Sequence, residues 1–236
     1  MIHLMKLEMQ KNNMRTYNYA NVIITVIMIG LIYLFAYVPR IEPNDPELLI
    51  FAGYDNVILL YGLVNMTVFC IFSCVIYSQL IIDAFRGKQL ILLFSYPVNC
   101  KKILISKIFI VSLFISLSMI ICNVIVFGTF FITESFVPIT ADVFSAALIL
   151  DALKTTLIMV ISAASLSVIA TGIGLHTKSV PAAIIAGLIL CSLFCNVVFN
   201  ALGNEMLILI FMMIALLAGA LMTILLMNKV NRLEVL

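Results

Sequence analysis

The run Asn56–Ile82, NVILLYGLVNMTVFCIFSCVIYSQLII, decides the fold, because it is 27 residues long and holds no charged side chain. A membrane-crossing helix needs about 20 mostly apolar residues. This stretch therefore crosses with residues to spare, the excess taken up by tilt or interfacial overhang. Inside a bilayer every backbone N–H and C=O must be satisfied by the protein itself. Only helices and closed barrels do that, and a run so long and so uniformly apolar is not a barrel strand.

Five further charge-free intervals lie outward from it: Thr16–Pro39, Ile108–Thr133, Thr155–Thr177, Ser179–Asn204 and Met206–Asn228. The 236-residue chain is 64% hydrophobic and only 10% charged, where a soluble domain of this size carries roughly a quarter charged residues. The expected fold class is an all-α membrane protein forming one transmembrane domain over 1–236. Its six spans fall near 19–38, 57–82, 108–132, 149–173, 180–200 and 206–228. Pro39, Pro43 and Pro46 are read as ending the first span, and Pro181 as sitting in the first turn of the fifth. Residues 1–17 mix apolar side chains with Lys6, Lys11 and Arg15, and are expected to lie as an interfacial helix against anionic head groups.

Orientation follows from Lys and Arg. With the N-terminus in the cytoplasm, only Arg40 and Lys154 of the 13 basic residues fall outside. The acidic residues lean the other way, with Glu134 and Asp151 among those expected outside. Both termini are thus expected in the cytoplasm, and a multi-pass protein of a bacterial plasma membrane fits.

The cysteines pair at helical spacing, Cys70 with Cys74 and Cys191 with Cys195, without any CxxC. With only two histidines in the chain, they read as small packing residues rather than metal ligands. No catalytic, cofactor-binding or metal-binding residue is expected. No HExxH and no paired carboxylates at membrane depth support an intramembrane enzyme, and nothing points to nucleic acid.

The segment after the opening run, residues 83–107, reads DAFRGKQLILLFSYPVNCKKILISK. It is amphipathic, basic and too long for a simple turn. Leu90, Leu92, Leu93, Phe94 and Tyr96 would be costly in water, so they lie on lipid or dock into a partner's groove. Pro97 breaks the pattern, and Lys101, Lys102 and Lys107 restart it at the inner interface.

This segment resembles the coupling loop in a permease subunit of the type-two ABC exporters. An acidic residue, a glycine, an apolar stretch, a proline and a basic cluster follow in that order as Asp83, Gly87, Leu92-Leu93, Pro97 and Lys101-Lys102. Lys88 stands where the family pattern has a threonine. The fourth-to-fifth junction GIGLHTKSVPAAIIAG and the basic tail NKVNRLEVL are similar too. The resemblance implies a cytoplasmic coupling helix between spans two and three, carried by Asp83, Arg86, Gly87, Lys88, Leu92, Leu93, Phe94 and Pro97. It further implies two ABC ATPase subunits as partners and a second permease subunit, identical or homologous. ATP and magnesium would bind the ATPases, and membrane lipid would surround the spans. No GxxxxGK[ST] loop occurs in this chain, so ATP hydrolysis is not expected on it. The substrate expected from the resemblance is an amphipathic or antimicrobial peptide, for toxin export or immunity. A Leu-, Ile-, Phe- and Met-rich lining without Trp fits such a cargo better than a polysaccharide.

Four more residues are candidates for a substrate path or gate. Asn196 and Asn200 lie one turn apart beside the break before span six, and Asp151 and Lys154 share a helix face near the outer end of span four. Asn65, Gln79 and Asn123 are polar groups within spans and are read as interhelical hydrogen-bonding groups. The competing function is an ion-gradient-driven carrier or small channel. Such a carrier needs acidic or histidine side chains deep in its spans, and the six intervals contain no Asp or Glu.

Overall fold

The computed structural model describes residues 14–41, 53–82, 100–136, 146–177, 179–201 and 205–234. They are helical almost throughout, with no strand among them. In chain order α1 is Met14–Ile41, α2 is Tyr54–Tyr77 followed by a π-helical turn Ser78–Ile82, and α3 is Cys100–Phe136. Next come α4 (Ala146–Thr177), α5 (Val180–Asn200) and α6 (Glu205–Glu234). All six are long and apolar enough to cross a membrane, so the chain is a multi-pass membrane protein built from helices.

Five of the six helices outrun the spans read from the sequence. The expected interfacial helix 1–17 falls largely outside the described residues, and Met14 to Tyr17 form the first turn of α1. Pro39 does not end that helix, which continues to Ile41. So close to the helix end, the amide that proline lacks removes a single ladder bond. Gly53 adopts φ 87° immediately before α2, a conformation that costs a glycine little. Asp55 in the first turn of α2 complements the helix dipole. Pro181 stands in the first turn of α5, where its missing N–H has no intrahelical partner to lose. The Ser179 amide donates to the Gly174 carbonyl (3.1 Å), closing the end of α4.

The described residues cluster into two compact units. One contains Met14–Asn65 and Leu117–Val160. Its core is aromatic: Phe130 meets Tyr33 and Tyr54 edge-on at 5.8 and 6.4 Å, and Phe127 meets Tyr61 at 5.1 Å. Gly62 faces Thr155 and Met159, so α2 and α4 approach closely there.

The other unit takes in the described residues of Met66–Ser116 and Ile161–Leu236. Small residues set its packing, as expected where lipid tails supply no hydrophobic drive between helices. A Cβ on Gly219 of α6 would lie 3.3 Å from the Cα, Cβ and O of Ser165 on α4. One on Gly172 of α4 would collide with the Met222 side chain of α6, and one on Gly187 of α5 would reach 2.9 Å from Cys74 Sγ of α2. Helix α5 touches both α6 and the π-helical turn. The most apolar windows of α2 and α4 are 61% buried, those of α1 and α6 only 17%. Most of the large side chains left exposed on α1 and α6, such as Val22, Val26, Leu217 and Leu221, are apolar.

Candidate functional site

Two places bring polar chemistry together inside apolar helices. The first, in the Met14–Asn65 and Leu117–Val160 unit, is centred on Asn123. Tyr61 and Asn65 stand one turn apart on α2 and so share a face. The Tyr61 hydroxyl donates to Asn123 Oδ1 at 3.1 Å, and Asn65 Nδ2 donates to the same oxygen at 2.6 Å. Asn123 Nδ2 in turn donates to Thr156 Oγ1 at 3.2 Å, and Thr156 Oγ1 donates to the Ala152 carbonyl at 2.7 Å. All four side chains are buried. The chain of donors runs from α2 through α3 to α4, and Asn65 Oδ1 ends it with no hydrogen-bond partner among the described residues.

In the same unit the Tyr54 hydroxyl donates to Glu134 Oε1 at 2.7 Å, both residues being buried. Glu134 was expected in a loop, as a charge marking the outside. It lies instead in the last turn of α3, only 4% exposed. Charges served as limits of the spans, and a carboxylate that finds a hydroxyl partner can be drawn into the helix.

The second place belongs to the other unit and lies at the root of the segment 83–99. Lys107, expected at the inner interface, is 8% exposed and donates from Nζ to the Leu80 carbonyl at 2.8 Å. Leu80 belongs to the π-helical turn. A reciprocal bond runs the other way, from the Tyr77 hydroxyl on α2 to the Ile108 carbonyl on α3, at 3.2 Å. Ser78 Oγ bonds back to the Cys74 carbonyl at 2.7 Å, a contact that loosens a helix locally. Cysteines line the neighbouring α2–α5 seam. Thr67 meets Cys195 at 3.5 Å, Cys70 has the thiols of Cys74 and Cys191 beside it, and Gly187 faces Cys74. The described cysteines are all free.

The residues singled out from the sequence are distributed differently. The coupling-helix set Asp83, Arg86, Gly87, Lys88, Leu92, Leu93, Phe94 and Pro97 lies outside the described residues. Asn196 and Asn200 are exposed near the end of α5, and Asn200 Nδ2 donates to both the carbonyl and the Oδ1 of Asn196 at 2.7 and 2.8 Å. These bonds stay within one helix. Asp151 and Lys154 form an ion pair at 3.2 Å with both side chains well exposed, an arrangement worth about 0–1 kcal/mol. His176, expected in the inner turn, is exposed in the last turn of α4. Gln79 is exposed in the π-helical turn. Of the span amides, Asn65 and Asn123 meet, and Tyr61 and Thr156 join them. The signal for Tyr61 was its position one turn from Asn65, whereas nothing in the spacing announces Thr156.

The chain is similar to the uncharacterized protein YcbO of Bacillus subtilis (strain 168), 26% identical over 197 residues, which cover 81% of this chain and 82% of that protein. No family model matches the chain, and no solved structure matches it.

Proposed function

We propose that this chain is the membrane-spanning permease subunit of an ATP-driven ABC exporter, working with two separate ATPase subunits and a second permease subunit. The observation that carries the reading is the segment 83–107 between α2 and α3. It combines apolar side chains that would be costly in water, a proline and a basic cluster in the order of a coupling loop. A segment of that composition needs lipid or a partner's groove to cover Leu92, Leu93 and Phe94. Support comes also from the two bonds tying α2 to α3 at its root, since a loop that transmits motion needs a firm attachment. The absence of a phosphate-binding loop in the sequence means that such a machine draws ATP energy from a partner.

In this reading both termini face the cytoplasm of a bacterial cell and the basic loops lie with them. Nucleotide-driven closure of the ATPases moves the 83–99 segments of two permeases and reopens the path outward. The cargo proposed is an amphipathic or antimicrobial peptide, exported or cleared from the membrane. A purification in mild detergent tests the reading, with Leu93→Asp and Phe94→Asp as paired controls. Co-purification of an ATPase that is lost in the controls supports it. A chain that purifies without ATPase sinks the coupling argument.

A second reading, an ion-gradient-driven carrier, has one observation in its favour. Glu134 is a buried carboxylate in a helix, of the kind such carriers use. Its position in the last turn of α3 favours an interfacial anchor, and it does not displace the exporter reading. Transport that persists in ATP-free vesicles and is lost with Glu134→Gln would reverse that order.

A further inference from the structure

The π-helical turn Ser78–Ile82 follows α2 directly and ends the described residues before the segment 83–99. A π-helical turn holds one more residue than an α-turn and is held where surrounding structure demands it, frequently at functional sites. Here the demand is visible. Lys107 brings a charged ammonium into an almost fully buried position and spends one bond on the carbonyl of Leu80, in the middle of that turn. A buried lysine is costly unless it is bonded. The C-terminal region of a helix, with its carbonyls pointing outward, is where a cation gains most. Tyr77 and Ile108 fix the neighbouring turn of the two helices independently, and Ser78 weakens the ladder from within. The turn is thus loosened by one side chain, held by another, and packed against α5.

We infer that Lys107 is a latch that holds α2 in π register, and that its release lets the turn relax to α-helix. Removing one residue from the turn rotates everything beyond it by about 100° and shifts it by about 1.5 Å along the axis. The segment attached to that end is 83–99. The device is a two-state element at the point where a pull on the segment, or a push from it, enters the helical bundle. The inference goes beyond the exporter reading and does not depend on it.

The test uses the full chain in lipid nanodiscs, with single cysteines introduced by Gln79→Cys or Leu80→Cys. Labelling by a membrane-permeant maleimide is read by peptide mass, so that native thiols do not interfere. Gln79 is exposed and Leu80 is 6% exposed, so position 79 labels faster, by about tenfold or more. In a Lys107→Met background the preference collapses or inverts, and in Lys107→Arg it returns. Tyr77→Phe removes the other tie and leaves the preference in place. A Lys107→Met protein that keeps the original preference overturns the latch, as does a Tyr77→Phe protein that loses it equally. If Lys107→Met does not fold, the unsubstituted protein decides. Labelled with 15Nζ-lysine and 13C′-leucine, it shows a dipolar coupling at hydrogen-bond range that disappears in Lys107→Arg, and its absence overturns the inference.

Discussion

Asn65 and Asn123 are both buried asparagines in one cluster, yet replacing each with leucine has opposite consequences. Asn123 Oδ1 accepts from Tyr61 and Asn65, and its amide donates to Thr156. In Asn123→Leu all three bonds go. The Asn65 amide is stranded in apolar surroundings, and the Tyr61 hydroxyl is left with the Cys122 thiol, a weak acceptor, beside it. Interhelical hydrogen bonds in membranes average about 0.6 kcal/mol each, and a stranded buried donor adds about 1–3 kcal/mol. The expected cost is therefore about 3–5 kcal/mol. Asn65→Leu loses a single bond and at the same time removes Oδ1, the acceptor with no partner among the described residues. Loss of about 0.6 kcal/mol is offset by relief of about 1 kcal/mol or more, so this variant is neutral to slightly stabilised. The assay is equilibrium unfolding in mixed micelles, titrating sodium dodecyl sulfate and following helical circular dichroism, with coincident probes confirming two-state behaviour. The reasoning is refuted if the two variants are destabilised equally, because Asn65 Oδ1 would then have to be satisfied.

Three further outcomes follow from the same contacts. Gly219→Ala places a methyl 3.3 Å from backbone atoms of Ser165, which cannot give way, whereas Gly30→Ala meets nothing within 4 Å. The first should destabilise by about 1–2 kcal/mol and the second should be neutral or gain up to about 1 kcal/mol of helix propensity, in the same titration. Asp151→Asn breaks an exposed i,i+3 pair and should change stability by no more than about 0.5 kcal/mol; unchanged transport in a reconstituted assay removes the pair from consideration as a gate. A membrane-permeant bifunctional thiol reagent should bridge Cys70 to a neighbouring thiol. Peptide mapping should show that Cys191→Ser removes the α2–α5 bridge and that Cys122→Ser, in the other unit, does not.

The number and type of elements were legible because burial in lipid leaves one local solution. Uncharged runs of 23 to 27 residues become helices, since no other backbone conformation satisfies itself there without closing a barrel. The site was less legible. Asn65 and Asn123 stood out as polar groups within spans, but 58 residues separate them and no periodicity pairs them. Asn196 and Asn200 looked the better pair because they are one turn apart, and that proximity is what lets them satisfy each other within α5. Sequence spacing finds bonds within a helix, while bonds between helices depend on which faces meet. In this protein those faces are chosen by glycines and small residues, such as Gly187 against Cys74 and Gly219 against Ser165.

The ends of α3 show why charges are imperfect rulers for membrane helices. At 37 residues the helix is about 55 Å long, well beyond the roughly 30 Å hydrocarbon thickness. That surplus is long enough for both ends to reach head-group level, where a charged group loses less hydration than at the midplane. Lys107 lies near one end and Glu134 near the other, and each has a polar group from α2 to bond, a backbone carbonyl and a tyrosine hydroxyl respectively. With those partners the helix gains by continuing through the charge rather than stopping before it. A count of uncharged residues consequently marks the part of a helix that lipid requires, and the bonded charges mark how much farther the fold carries it. In α3 that extra length is what brings Lys107 to the π-helical turn, so the residue that reads as the edge of a span in sequence becomes a structural contact in the fold.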